Sequence, residues 1–589
     1  MPRGYVRWIS PIAHIATRSL EAASAELPID LALAETAKLP DPTEVMSTHD
    51  KTIFFLHTAA EIEHSLLVQY LYAAFSLGDV DVRNDLTDAR KTQAKAWQSS
   101  IRTIAKQEMG HLVTVQNLLR LIGGPLNLDR EDFPFRSAYY PFSFRLEPLT
   151  RDSLAKYIAA EMPENPDDPD GLVADALERA QAASGGEPIN RVGPLYARLI
   201  NLFTDEVELP DSVLSPDTRE SFQATVEEWN PGGFPMIVES FGGTPQQARE
   251  RAIAALHDIA AEGEGSESPS PGSPSSHFER FLAIYLDFPE SIGAGADFWE
   301  PALAVPCHPN TSPAEIADEY LELGRISHPV SVLWARLFNL RYRMLLSFLQ
   351  QSLLTRRTDD ETRQARSQLI EWTFSEMFRM TELSHNVLTK LPRKLPDMTE
   401  EGRPLLAGAP FELPYTLLVS DRDRDRWRTV LDLVDAAKTL CDELETTAPS
   451  DSARRMLDSI RADDAAIRTH AEQHLADSEP GGGGSTPLTA EEALLELIRS
   501  KRPVAQGTHD FVNVDPTTTL QALFLAATDE SIDRILEFLK TGSHNGKKLV
   551  VAQQPENSHF MKLITTGPMK NAFTQSEREV ARAWIMSLT

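Results

Sequence analysis

Residues 59–77, AAEIEHSLLVQYLYAAFSL, and residues 104–127, IAKQEMGHLVTVQNLLRLIGGPLN, determine the fold of this chain. In both stretches apolar residues recur every three or four positions, which is the pattern of an amphipathic helix with one buried face. The pattern predicts two long helices, over about 48–77 and 89–122. The second is expected to end at Gly123-Gly124-Pro125, a typical C-terminal signal.

The same period continues along most of the chain, whereas the alternating pattern of strands is weak throughout. Further helices are therefore predicted over about 151–162, 190–204, 245–262, 277–288, 313–323, 330–354, 359–391 and 424–475. The fold class that follows is mainly α, with a four-helix bundle, additional helices around it and a small helical domain at the C-terminus.

Composition excludes several classes of function. The 589 residues carry 57 basic and 87 acidic side chains, a net charge of −30. This charge disfavours nucleic acids and anionic membranes as partners. The two cysteines, Cys307 and Cys441, exclude a disulfide framework and Cys-rich metal sites. No secretory leader and no apolar run of about 18 residues is visible. We expect a cytoplasmic protein without membrane or nucleic-acid partners.

Stretches of low complexity suggest the domain organisation. Four consecutive glycines from Gly481 predict a flexible linker, and the Ser/Pro/Gly-rich residues 262–276 predict a mobile loop between two helices. The predicted parts are an N-terminal extension (1–47), a metal-binding domain (48–400), a helical extension (401–480), a linker (481–485) and a small domain (486–589).

Polar residues inside the apolar stripes are candidates for function. Glu63 lies in the middle of the stripe of the first long helix, and Glu108 and His111 lie one turn apart in the second. An inward Glu-x-x-His pair facing a lone Glu on a neighbouring helix forms half of a di-iron carboxylate site. Oxygen and imidazole ligands suit iron or manganese.

The Glu-x-x-His spacing is short and has an ordinary explanation. It also occurs at Glu61/His64 and at Glu382/His385, where both carboxylates face mixed or polar sides of their helices. His385 lies near apolar residues, but a hydrogen-bonded core histidine accounts for it. Spacing alone therefore leaves metal ligands and a structural pair equally open.

The second half of such a site has three candidates. Glu161 continues the stripe of the helix over 151–162, Glu264 stands between two glycines that allow a sharp turn, and His277 begins a new stripe. Each also has a purely structural explanation: Glu161 as a carboxylate at a helix end, Glu264 as an acidic loop residue and His277 as a histidine at a helix start. With the first three residues they make four Glu and two His, the number that a di-iron carboxylate site uses.

Several ordered blocks resemble the ferritin-like module of the imine-dimer synthases, which make chromopyrrolate-type intermediates in violacein, rebeccamycin and staurosporine biosynthesis. The blocks are residues 59–77, 104–127, 149–164 (LTRDSLAKYIAAEMPE), 189–200 (INRVGPLYARLI), 261–265 (AEGEG) and 276–285 (SHFERFLAIY), within a resemblance that covers about 45–400. The resemblance implies a ferritin-like fold and a di-iron site.

The resemblance also assigns the ligands. It implies as metal ligands the first-block glutamate, the Glu-x-x-His pair, the helix-end glutamate, the glutamate of Gly-Glu-Gly and the histidine of Ser-His, namely Glu63, Glu108, His111, Glu161, Glu264 and His277. The chain departs from the family at Val68-Gln69, where prolines are usual, at Gln107, often a second Glu, and in the insertion 266–275. It also lacks an additional region of the large bisindole enzymes.

The tail is a different module. Residues 555–585, PENSHFMKLITTGPMKNAFTQSEREVARAWI, resemble the C-terminal half of a small cytochrome c domain, in which Met569 would be the axial position. Ser576 and Glu579 are predicted to form a capping box. Because the tail contains no cysteine, covalent haem is excluded. We expect a small helical domain that keeps the fold without the cofactor.

Together these observations predict a non-haem di-iron oxidoreductase of natural-product biosynthesis. It would use O₂ or peroxide to oxidise or couple an amino-acid-derived small molecule, with manganese as the alternative metal. Two other classes of protein remain: a metal-binding ferritin-like protein without substrate chemistry, and a non-catalytic interaction scaffold. Homo-oligomerisation is left open.

Overall fold

A computed structural model describes most of the chain in two compact units, Met1–Glu472 and Gln473–Thr589. The described residues are 39–42, 44–168, 170–187, 189–214, 220–229, 243–264, 275–289, 299–313, 319–358, 360–394, 399–400, 403–415, 419–420, 422–477, 490–505, 512–526, 529–567, 569–570, 573 and 575–588. The predicted linker 481–485 and most of the predicted extension 1–47 lie outside them. The predicted domain boundaries remain predictions.

The protein is mainly α, as predicted. The described helices are α1 Thr48–Ser76, α2 Asp88–Ile122, α3 Arg151–Glu161, α4 Leu172–Ala183, α5 Gly193–Thr204, α6 Val226–Trp229, α7 Pro245–Glu264, α8 His277–Asp287, α9 Glu319–Gly324, α10 Pro329–Leu354, α11 Asp360–Asn386, α12 Asp423–Thr446, α13 Asp451–Asp477, α14 Ala490–Ala505, α15 Leu520–Ala526, α16 Asp529–Thr541, α17 His559–Thr565 and α18 Gln575–Ser587. None of them is both long and apolar enough to cross a membrane.

Strands are few and short among the described residues. They form three two-stranded antiparallel hairpins: β1 Thr399–Glu400 with β2 Arg403–Pro404, β3 Asn513–Asp515 with β4 Thr518–Thr519, and β5 Ser543–His544 with β6 Lys547–Lys548.

Helices α1 and α2 form the centre of the first unit and pack along each other. The side chain of Ser47 caps the start of α1 and that of Thr87 caps α2, each by accepting a hydrogen bond from a backbone N–H of the first turn. Helix α2 ends as predicted, because Gly123 adopts the left-handed conformation with φ 78°. Helix α7 packs on α5, α8 packs on α3, and both α7 and α8 reach α2.

Three predictions about helices were wrong. Helix α4 was not predicted, and the run 424–475 is two helices, α12 and α13. The break comes at Ala448 (φ 54°), where Pro449 disfavours the α conformation of the residue before it. Helix α7 continues through Gly263 to Glu264, where a loop from residue 262 and a sharp turn at the glycines were expected.

The second unit has its own apolar core, in which α18 packs against α14 and α17. Trp584 and Ile585 of α18 are fully buried there, and Met569 packs against the same core. Because α18 begins at Gln575, Ser576 lies inside the first turn, so the prediction of Ser576 as the capping residue was wrong.

Candidate metal centre

Five helices of the first unit bring carboxylates and imidazoles to one buried place. Their contributions are Glu63 from α1, Glu108 and His111 from α2, Glu161 from the end of α3, Glu262 from α7 and His277 from the start of α8. All except Glu262 are at most 4 % exposed. Buried ionisable groups at this density require compensating charge.

The local sequence places the two residues that stand at helix ends. Helix α3 stops directly after Glu161, because Pro163 disfavours a helical conformation at Met162, which is extended (ψ 136°). Helix α8 begins at His277 because Ser276 and Glu279 form a reciprocal capping box ahead of it. Both side chains are therefore fixed by the termini of their helices.

The first cluster consists of Glu63, Glu108 and His111. The Nδ1 atom of His111 lies 3.1 Å from Glu108 Oε2 and 3.3 Å from Glu63 Oε2. One ligand atom from each residue lies within 4.8 Å of those of the other two. Two carboxylates and one imidazole at this spacing can hold a divalent metal ion.

The second cluster consists of Glu108, Glu161 and His277, again with ligand atoms within 4.8 Å of one another. His277 Nδ1 lies 3.0 Å from Glu108 Oε1 and 3.6 Å from Glu161 Oε2. Glu108 thus presents Oε2 to the first cluster and Oε1 to the second. This is the arrangement of a carboxylate that bridges two metal ions.

Unpaired atoms in the second cluster fit a cation. Glu108 Oε1 and His277 Nδ1 are buried and 3.0 Å apart, yet neither makes a hydrogen bond. A metal ion between them would satisfy both atoms, as well as the charge of the carboxylates.

Without a metal, protons compensate the buried charge. Burial, followed by the charge of Glu108, raises the pKa of Glu63 to about 8. Burial acts to lower the pKa of His277, but Glu108 and Glu161 outweigh it and raise this pKa to about 9. The pKa of His111 is raised well above its usual value by the same kind of contact. Metal binding would displace these protons.

Two tyrosines fix the carboxylates from outside the clusters. The Tyr196 hydroxyl donates to Glu63 Oε1, and the Tyr70 hydroxyl donates to Glu161 Oε1 at 2.5 Å. In each case the other oxygen, Oε2, is the one that faces a histidine. Such hydrogen bonds orient metal ligands and are as much part of a metal site as the ligands.

Glu262 fixes the imidazole of His111. Its Oε2 lies 2.9 Å from His111 Nε2, so this ring nitrogen can donate its proton to Glu262 while Nδ1 faces the clusters. The side-chain amide of Gln107 donates to the other oxygen of Glu262, and Arg280 donates to Gln107 at 2.8 Å. A carboxylate–histidine pair of this kind sets the tautomer of a metal-bound histidine.

Glu262 was not predicted, and the side chain of Glu264 lies outside the described residues. The sequence did contain a signal for Glu262. On α7 the fully or nearly buried residues Ala248, Ala252, Ala255 and Ile259 recur every three or four positions, and the next position of that stripe is 262. The prediction instead followed Ile253, Leu256 and Ala260, of which only Leu256 is fully buried. The role of Glu264 as a ligand remains a prediction.

Little space remains beside the ligands. A cavity of about 20 Å³, bordered by the ligands and by Leu66, Val192 and Ile259, has room for about one water molecule. Gly263 contributes to this tight packing, since a Cβ atom there would lie only 2.9 Å from Glu161 Oε2. The centre therefore admits a small diatomic molecule or a water.

Comparisons with known proteins agree with this architecture. Residues 56–286 match the family model described as Ferritin-like, so the chain contains a ferritin-like domain. It is similar to 2-imino-3-(indol-3-yl)propanoate dimerase of Chromobacterium violaceum, with 25 % identity over 273 residues, 42 % of this chain and 24 % of that protein. It is also similar to dichlorochromopyrrolate synthase of Lentzea aerocolonigenes, with 29 % identity over 136 residues, 20 % of this chain and 13 % of that enzyme.

These relatives match the family that the sequence blocks indicated. The chain spans about a quarter or less of the length of the curated relatives it matches. No solved structure gives a significant match.

Proposed function

We propose that the five converging helices hold a pair of iron ions. Glu63 and His111 would bind one ion, Glu161 and His277 the other, and Glu108 would bridge them. The observation that carries this proposal is the position of Glu108, whose two oxygens each belong to a different ligand cluster. Glu264 is a further proposed ligand, and manganese is the alternative metal because the same ligands suit it.

We further propose that the protein oxidises, or oxidatively couples, an amino-acid-derived small molecule in natural-product biosynthesis. The similarity to an enzyme named as a dimerase of 2-imino-3-(indol-3-yl)propanoate and to one named as dichlorochromopyrrolate synthase supports this. The bound iron would supply redox chemistry with O₂ or peroxide. Each two-electron oxidation of the substrate is then balanced by reduction of O₂ to H₂O₂, or of H₂O₂ to water.

The side chains of this protein would provide orientation and exclusion of solvent. Tyr196 and Tyr70 hold the outer oxygens of two carboxylates, and Glu262 holds the outer nitrogen of His111. The small cavity keeps bulk water away from the centre. Both cysteines are free thiols, which suits the reducing cytoplasm that we propose as its location.

Metal analysis of the purified protein tests the proposal. We expect about two iron ions per chain after reconstitution with Fe(II) under anaerobic conditions, and oxygen uptake when aromatic α-amino acids or their oxo acids are added. Two bound ions without oxygen uptake would favour a metal-binding protein. Failure to bind any divalent metal would favour the interaction scaffold and refute the proposal.

A further inference from the structure

A second cavity of the first unit is much larger than the space beside the metal ligands. It measures about 880 Å³ and lies between residues 130–134, the loop 308–313, helix α10, the loop 410–414 and helix α12. No residue lines both cavities. A volume of this size is typical of sites that bind small organic molecules. We call this cavity the α10–α12 cleft.

Hydrogen bonds of its own wall hold the cleft open. Glu412 accepts from the side-chain amide of Asn339 at 2.9 Å, and Asn339 Oδ1 accepts from the Glu412 backbone N–H at 2.9 Å. Thr311 donates to the same carboxylate from its backbone and its hydroxyl. These contacts join three segments that are distant in sequence, so the cleft exists without a ligand.

One arginine of the wall has its guanidinium donors engaged by neighbouring protein groups. The guanidinium of Arg130 is buried and donates to the Tyr342 hydroxyl at 3.0 Å, to the Glu131 carbonyl at 2.9 Å and to the Phe411 carbonyl. It also lies 4.0 Å from Asp132. Arg130 is therefore a structural residue and not free to bind a ligand charge.

Arg336 and Arg343 differ from Arg130. They line the cleft from one face of α10, seven residues apart, and among the described residues neither has an ion-pair or hydrogen-bond partner for its guanidinium. The Nε atom of Arg343 is buried without any hydrogen bond, and its guanidinium stacks 4.8 Å over the Tyr415 ring. A stacked guanidinium with open donors suits bidentate binding of a carboxylate or phosphate.

The rest of the wall distinguishes between these anions. Phe133, Leu146 and Leu440 make much of the wall apolar, which suits an apolar or aromatic body. Asp132 and Glu412 also line the cleft and would repel a second negative charge. We propose that the α10–α12 cleft binds a monocarboxylate with an apolar body, and that Arg343, assisted by Arg336, binds its carboxylate.

This inference does not depend on the metal centre. It assigns a binding site for an organic anion within the first unit, and it holds whether or not the protein contains iron. Loss of metal through a change in the ferritin-like ligands is expected to leave binding in the cleft intact. Failure of the proposed function and failure of this inference can therefore be told apart.

Isothermal titration calorimetry of the purified full-length protein tests the inference with three probes. These are 3-phenylpropanoate, its neutral amide and dianionic phenyl phosphate. We expect one 3-phenylpropanoate per chain, and binding weaker by about tenfold or more for the amide and for phenyl phosphate. Arg343→Gln is expected to weaken 3-phenylpropanoate by about tenfold or more and to leave the amide unchanged.

Two further variants complete the test. Arg455→Gln, on an exposed position of α13 outside the cleft, is the matched control and should bind like the wild type. Leu440→Trp places a larger ring in the apolar wall of the cleft and should weaken binding of both phenylpropanoid probes, while circular dichroism reports an unchanged fold. Equal binding of acid and amide, tighter binding of phenyl phosphate, wild-type affinity in Arg343→Gln or no binding at all would each overturn the inference.

Discussion

Replacement of His111 by alanine is the sharpest test of the metal centre. The imidazole lies between three carboxylates, at 3.3 Å from Glu63, 3.1 Å from Glu108 and 2.9 Å from Glu262. Its removal takes away one proposed ligand and the contact between the first cluster and Glu262 of α7. The variant should keep its fold, because the α2 stripe is apolar apart from Glu108 and His111, but it should bind at most one metal ion.

The expected effect can be estimated. A buried cavity of this size costs on the order of 2–5 kcal/mol of folding free energy. Loss of a ligand should weaken metal binding by at least about a hundredfold, roughly 2.7 kcal/mol. At a metal concentration about 100 times the wild-type dissociation constant, bound metal adds about 2.7 kcal/mol to the unfolding free energy of the wild type. For the variant, whose dissociation constant is then about equal to the metal concentration, it adds only about 0.4 kcal/mol. The rise in melting temperature on adding metal should therefore nearly disappear.

His385→Ala is the matched control. His385 is also buried, but it contacts Gln98 at 3.5 Å and the Phe75 ring, and burial lowers its pKa to about 3. Its replacement creates a comparable cavity without removing a proposed ligand. Metal content by mass spectrometry and melting with and without metal should separate the two variants. Full metal loading in His111→Ala together with its loss in His385→Ala would refute our assignment.

Four other predictions concern single residues or segments. The contribution of Glu376 to the free energy of unfolding should fall as the pH rises from about 4.5 to about 7, because burial raises its pKa to about 7 in the folded state, which then holds this proton more tightly than the unfolded state. Urea titrations of Glu376→Gln at several pH values should show a shallower fall. Glu262→Gln should weaken metal binding by about 10–100-fold without lowering the number of ions at saturation, whereas Glu264→Ala should lower that number, both measured by metal titration. The tail, 486–589, should fold by itself and show no Soret band after extraction with acid acetone.

Each of these predictions has a result that would contradict it. An equally steep pH dependence in Glu376→Gln would mean that another group titrates in this range. Wild-type metal affinity in Glu262→Gln would show that the hydrogen bond between Glu262 and His111 does not contribute to metal binding. Two bound ions in Glu264→Ala would show that Glu264 is not a metal ligand. A Soret band that survives extraction would show covalent haem in the tail.

Helix periodicity predicted those site residues whose position depends on the apolar pattern of a single helix. Glu63 was found because it has apolar neighbours three and four positions away on both sides, and Glu108 and His111 because they lie one turn apart in the stripe of α2; the structure brings the three together. Glu262 was missed because α7 has two candidate stripes and packing against α2 and α5 selects one of them. The break between α12 and α13 was missed because it is caused by Pro449, which does not interrupt the apolar pattern.

The α10–α12 cleft could not be predicted in this way. Its wall combines residues 130–134, 308–313 and 410–414, which are distant from one another in the sequence and share no periodic pattern. Arg343 appears in the sequence as an ordinary charged residue of an amphipathic helix. Only the packing of α10 against α12 and the loops shows that its guanidinium borders a cavity and has no hydrogen-bond or ion-pair partner in the part of the chain that the structure describes.

The distribution of ligands along the chain has a consequence for biosynthesis. Glu63 and His277 are separated by about 200 residues, and the other ligands come from helices between them. At roughly 5–20 residues per second, a ribosome needs about 10–40 seconds to complete this stretch. The first cluster, with ligands only from α1 and α2, can form early, whereas the second must wait for α8. The two ions would therefore be loaded in a fixed temporal order on the nascent chain, first at Glu63 and His111 and later at His277.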